Sequence, residues 1–182
     1  ELAEDRRHVT INGVVGPRGD GYSVGELMTS DEAERYHRWQ IGVLQAAGVE
    51  RITALTLTYP QEAIGIVAAA ITVGVPVVPG FTVETDGRLP DGTSVEDAVD
   101  QVDSETGGAA EFFVINCAHP SHIAAGLDGD SAALKRIGGL RVNASPLSHA
   151  ELDAAEGLDE GDPDALGRDN ARLRQFLPSI QL

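Results

Sequence analysis

The chain has 182 residues, of which 42% are hydrophobic and 23% charged, the make-up of one globular domain able to bury a core. Its 13 Lys and Arg stand against 29 Asp and Glu, and the net charge of -16 excludes a basic nucleic-acid footprint or attraction to an anionic membrane. One cysteine rules out an intrachain disulfide and suits a reducing, cytoplasmic setting, and the longest apolar run, Ala63 to Pro79, is too broken by Gly65, Thr72, Gly74 and Pro76 to span a bilayer.

In chain order, Glu1 to Arg7 is charged and carries no apolar stretch, so it does not read as a signal peptide. His8 to Val15 is β-branched, reads as a strand and ends in Gly16-Pro17. Ser30 to Ala47 predicts a helix with Ser30 or Asp31 as its cap, acidic residues in its first turn and Gly48 beyond its end. Arg51 to Thr58 is a strand pattern, and Gln61 to Val73 a helix closed by Gly74. Val75 to Val83 is a strand, followed by a helix over Ser94 to Val102 with Ser94 as N-cap. Glu111 to Asn116 is an apolar strand, His119 to Leu127 a short helix and Ile137 to Asn143 a strand. Two acidic helical stretches, Ala150 to Glu156 and Asp164 to Phe176, close the chain.

Apolar strands alternating with helices predict an α/β fold on a parallel sheet. No repeat, linker or composition shift divides the chain, so residues 1–182 read as one domain. Five β/α units suit either an open doubly wound sheet or part of a closed barrel. Polar motifs follow the end of every strand: Gly16-Pro17-Arg18-Gly19-Asp20, Thr58-Tyr59-Pro60, Thr82-Val83-Glu84-Thr85-Asp86, Asn116-Cys117-Ala118-His119-Pro120 and Asn143-Ala144-Ser145. That distribution favours a barrel, whose sites draw on many βα loops. A complete barrel takes about 250 residues, two or three units more than this chain has.

The segments INGVVGPRGD, YHRWQ, FTVETDGRLPDGTS, FFVINCAHPSH and LRVNASPLSHAELD together resemble the homocysteine-binding domain of homocysteine S-methyltransferases, in matching order and spacing. The resemblance implies a TIM-like (β/α)8 barrel, incomplete here and covering about strands 3–7, with zinc at its C-terminal face. Cys117 matches the family's Asn-Cys zinc ligand; the resemblance places the other two thiolates, a Cys pair on the last strand, outside this sequence, which implies a chain inactive on its own. It implies transfer of a methyl group from a sulfonium donor, of the S-methylmethionine or S-adenosylmethionine type, to the thiolate of homocysteine or a related thiol. Zinc at an open coordination position would stabilise that thiolate. A threonine, Thr56, stands near the position where many members carry the carboxylate that grips the amino group of homocysteine.

The candidate substrate-binding residues are Gly16, Asp20, Thr56, Phe81, Thr82, Glu84, Asn116 and Asn143, with Cys117 as the metal position and no residue assigned a catalytic role. Each has a plainer reading. Gly16 and Asp20 suit a turn, Phe81 suits a core, and the two asparagines can satisfy loop backbone. His119 and His122 follow Cys117 closely, but Pro120 lies between them and loop structure is the better account. Tyr36 and Gln40 share a helix face and read as packing residues. Ser148, His149 and Asp153 crowd one short stretch without a nucleophile elbow, so a hydrolase triad is set aside. The alternative to the enzyme reading is a non-catalytic protein that binds a small ligand or a partner on the same scaffold. Unpaired barrel edges would favour self-association.

Overall fold

The computed structural model describes residues 9–127 and 131–180. The start of the first expected strand, His8, and the segment 1–7 lie outside the described residues. The elements run β1 (Asn12–Val15), α1 (Ser30–Ala46), β2 (Arg51–Leu57), α2 (Pro60–Val73), β3 (Val77–Phe81), α3 (Val95–Thr106), β4 (Phe113–Asn116), α4 (Pro120–Gly126), β5 (Ile137–Arg141), α5 (His149–Ala154) and α6 (Pro163–Leu173). A single 3-10 turn, Leu134–Arg136, leads into β5.

All five strands are parallel and lie in the order β1-β2-β3-β4-β5. Each crossover therefore advances one place in one direction. A doubly wound sheet reverses its strand order at a switch point, and no reversal occurs here. This is the winding of a TIM-type barrel, present as an open sector, because β1 and β5 each pair on one side among the described residues.

The sequence explains the layers. Along β2, Ile52, Ala54 and Leu57 are buried. Between Ala54 and Leu57 the register with β3 slips, so a bulge shifts the strand's end by one place. All five residues of β3 are buried, as expected for a strand covered on both faces. In α1 the buried side chains are Ala33, His37 and Ile41, four apart on one face. Tyr36 and Gln40, expected to pack, point outward, because the buried stripe runs through His37. The cap of α1 is Thr29 rather than Ser30 or Asp31: its hydroxyl accepts from Glu32 N and the Glu32 carboxylate returns to the Thr29 amide, a closed capping box. Ser94 caps α3 as expected, accepting from Asp97 N.

The α1–α2 pair meets backbone to backbone. A Cβ added at Gly65 of α2 would stand 2.4 Å from Ala33 Cβ and 2.6 Å from both Glu34 N and Ser30 O. At the opposite end of the strands, Arg136 clasps Asp103 through two nitrogens (2.7 and 3.1 Å) and donates to the Ala110 and Glu111 carbonyls. That charge-assisted clasp ties α3 to the start of β4. Among the described residues no helix is long and apolar enough to cross a membrane.

Gly65→Ala is expected to push the two helices apart and to cost about 1–3 kcal/mol, the range for overpacking a tight contact. Urea denaturation followed by circular dichroism measures it; an unchanged midpoint would mean that the helices do not rely on this approach.

Candidate active site

The site is built at the C-terminal ends of the strands, around the sulfur of Cys117. Asn116 is the last residue of β4 and is fully buried. Its Oδ1 accepts from Thr56 N at 2.9 Å, and its Nδ2 donates to Thr56 Oγ1 at 2.8 Å and to Cys117 Sγ at 3.1 Å. The amide therefore reaches from β4 to β2 across the intervening β3. Gly80 of β3 leaves the room: a Cβ there would lie 2.7 Å from Ala54 O and 3.0 Å from Asn116 Oδ1.

The two residues joined by this amide are the two non-glycine residues with positive φ among those described, Thr56 at 64° and Cys117 at 57°. A β-branched residue in that region is a true outlier. Such conformations cost on the order of 1–3 kcal/mol each and persist where neighbours over-determine them. Here the bulge in β2 and the Asn116 amide do so. The result directs Thr56 Oγ1 to 3.7 Å from Cys117 Sγ.

The Cys117 backbone is held equally firmly. Its N–H donates to Arg141 O of β5. Its carbonyl accepts from Asn143 Nδ2 at 3.0 Å and from His149 Nε2 at 2.7 Å. His149 opens α5, which Ser148 caps in a second capping box with Glu151. The other ring nitrogen of His149, Nδ1, lies 3.2 Å from Glu84 Oε1. The Tyr22 ring packs on His149 with centroids 4.2 Å apart. Burial, and next the Cys117 side chain, push the Tyr22 phenol up to about 12, so at neutral pH it keeps its proton. Asp20 lies close enough to contribute to that shift, and its Oδ1 accepts from the Tyr22 and Ser23 amides, fixing the turn that presents Tyr22.

Asp20, Thr56, Glu84, Asn116, Asn143 and Cys117 thus come together. Three other candidates do not present a group to this cluster. Gly16 sits exposed beyond the end of β1. Phe81 is fully buried in the hydrophobic core, its ring stacked on Phe113 at 6.2 Å, because its position in β3 faces the helices' apolar layer. Thr82 is fully buried, with its hydroxyl unpaired. Two residues that sequence reasoning did not assign to the site belong to it: Tyr22, in the glycine-rich loop, and His149, weighed only as a triad member. The signal for both was proximity to assigned motifs: Tyr22 follows Gly-Pro-Arg-Gly-Asp, and His149 follows Asn143-Ala-Ser.

His119 and His122 turn to structural tasks. Burial, and next the neighbouring His122, hold His119 below the ordinary histidine value. Its Nδ1 accepts from Ser121 N at the start of α4, while His122 Nε2 bonds the Pro146 carbonyl. Among the described residues no three His, Cys, Asp or Glu side chains form a group that could hold a metal ion. A catalytic zinc site takes three protein ligands. The described residues offer Cys117 alone, so by themselves they do not fit the ion.

The sequence matches the family profile described as homocysteine S-methyltransferase over residues 1–160. The chain belongs to that family. Its fold is similar to that of the homocysteine methyltransferase MmuM from Escherichia coli. The apo form superposes with a TM-score of 0.58 at 19% identity over 90% of this chain and 63% of that one. The metallated form gives 0.60 at 19% over 90% and 61%, and the oxidised form 0.57 at 19% over 80% and 61%. The chain therefore spans less than two thirds of the length of these structures. No curated protein matches the chain.

Asn116→Ala removes all three bonds of the bridging amide and strands the Thr56 N–H. The expected loss is about 1–3 kcal/mol, the cost of an unsatisfied buried group. Chemical denaturation reads it; an unchanged free energy would mean that the bridge does not set the backbone at Thr56 and Cys117.

Proposed function

We propose that this chain forms the acceptor side of an S-methyltransferase, in which a thiol takes a methyl group from a sulfonium donor next to Cys117. The observation that carries the reading is that groups from the C-terminal ends of a singly wound sheet gather around Cys117, Thr56 and Asn116 at its sulfur and Asn143 and His149 at its carbonyl, in a chain of this family. Homocysteine is the acceptor that the family suggests, and a related thiol fits the same chemistry. The donor is of the S-methylmethionine or S-adenosylmethionine type. We take residues 1–182 as one partial barrel domain, and its lone cysteine fits a cytoplasmic setting.

The transfer is a displacement at carbon. The acceptor sulfur, having lost its proton, forms a bond to the methyl carbon as the donor's carbon–sulfur bond breaks, and the donor leaves as a neutral thioether. The neutral thiol is a poor nucleophile, so the site must favour the thiolate. A bound zinc ion would supply that polarisation, with Cys117 as one ligand and the remaining donors from outside the described residues. The residues present have other roles. The Tyr22 and His149 rings form a wall beside the sulfur. Asp20 and Glu84 set a negative field that attracts a sulfonium cation. Asn116 and Asn143 hold Cys117 in place.

Zinc content and thiol methylation, measured for the chain extended by the Cys pair that the family resemblance implies, with and without Cys117→Ala, test the reading. The expected result is loss of bound zinc and a fall in rate by at least about 100-fold, the scale for losing a metal-derived electrostatic contribution. Full activity in Cys117→Ala would overturn it. Absence of both zinc and activity in the extended parent chain would favour a non-catalytic, ligand-binding role, to which the single metal donor points.

We further propose that the 182-residue chain self-associates through its two sheet edges, since β1 and β5 each leave a row of backbone groups unpaired among the described residues. Sedimentation is expected to give species heavier than 19.1 kDa; a monomer at all concentrations would refute the idea.

A further inference from the structure

Away from the sulfur, the core contains a carboxylate that the chemistry above does not use. Glu62, in the first turn of α2, is 0% exposed, and His37 of α1 beside it is 1% exposed. Glu62 Oε1 accepts from the backbone N–H of Arg18 at 2.6 Å and lies 2.9 Å from His37 Nε2. Glu62 Oε2 and His37 Nδ1 have no hydrogen-bond partner. A buried acidic group whose polar capacity is only half used is costly, and an apolar residue in its place would often be neutral or better for stability. Simple stability is therefore a poor account of it.

Its partner identifies the task. Arg18 begins the stretch between β1 and α1 that carries Asp20 and Tyr22. The far end of the same stretch is fastened to the same place: the Met28 N–H donates to Tyr59 Oη at 3.1 Å, and Tyr59 is the N-cap residue of α2. Both Met28 and Tyr59 are buried. Within the stretch, Arg18 Nη2 donates to Glu26 O, and Gly21 rests on Thr56, where a Cβ would stand 2.8 Å from Cγ2. The loop is thus pinned at both ends to one helix start and lies on the strained residue of the site.

We propose that Glu62, held in place by His37, and Tyr59 form a two-point latch that seats the loop 16–29 on the site, with Gly21 on Thr56 and Tyr22 on His149, so that the loop covers Cys117. Glu62 and Tyr59 are positioning residues: neither touches the sulfur, and both act on it through the loop. The proposal rests on the methyltransferase reading only in calling the covered sulfur functional; the seating itself is read without any methyl transfer.

Cys117 is the single cysteine, so its alkylation by iodoacetamide in chelator-treated buffer reports how often the loop leaves the site. Glu62→Met keeps the length and removes the acceptor for the Arg18 N–H; Tyr59→Phe removes the other acceptor with little loss of packing. Each is expected to raise the alkylation rate by about fivefold, the population change that follows from losing one buried hydrogen bond. Tyr22→Ala is expected to raise it at least as much. Combined with Tyr22→Ala, neither latch variant adds a further increase, since the cover is already gone. Two results would overturn the latch: unchanged rates in Tyr59→Phe and Glu62→Met, or the same fold-increase in the Tyr22→Ala background, which would mark a general loosening. If Glu62→Met does not fold, Tyr59→Phe decides. A protein without methyl-transfer activity but with this alkylation pattern would retain the latch and lose the enzyme reading.

Discussion

The side chain of Asn116 connects strands that are not neighbours. It leaves β4, passes over β3 where Gly80 makes room, and binds both the backbone and the hydroxyl of Thr56 on β2. Much of the site depends on this reach. It fixes two residues in a backbone region that side chains avoid, places a hydroxyl and a sulfur side by side, and gives that sulfur one of its donors. A sheet whose strands follow one another in sequence order makes this possible, because each strand's end lies beside the next on a single face.

Around that bridge the molecule is layered by task. The ends of the strands that carry Arg136 and Asp103 hold a conventional clasp, remote from the chemistry. The helical layer contributes apolar contact, with α1 and α2 pressed close at Gly65. The loop face holds the polar residues, and its backbone is fastened by side chains rather than by regular pairing: Asn143 and His149 on the Cys117 carbonyl, Asp20 on its own turn. Glu62 and Tyr59 extend this scheme one layer deeper, from loop to helix start.

The order of elements was legible because strands buried on both faces and Gly-capped helices leave strong patterns, as at Gly74. The winding was legible only indirectly, through polar residues at every strand end. Ser30 and Asp31 are equally good cap types by chemistry, but the capping box needs a hydroxyl residue with Glu three places on: Ser30 has Ala33 there, Asp31 has Glu34 but no hydroxyl, and Thr29 with Glu32 has both. Tyr36 and Gln40 face solvent because an i, i+4 pair names a helix face without saying which way it points. In the site, Asn116 and Cys117 carried a motif. Tyr22 and His149 did not, for their importance arises from rings brought together across 127 positions of sequence, and no local pattern encodes such a meeting.

The left-handed turn at Thr56 and Cys117 has a consequence for how this protein could change. Glycine at either position would relax the backbone, yet it would delete the hydroxyl or the sulfur that the turn exists to present. Under the proposed function, selection for hardiness and selection for chemistry pull these two positions in opposite directions. A lineage released from its reaction would be expected to drift toward glycine there, while one that keeps its reaction must retain the tension.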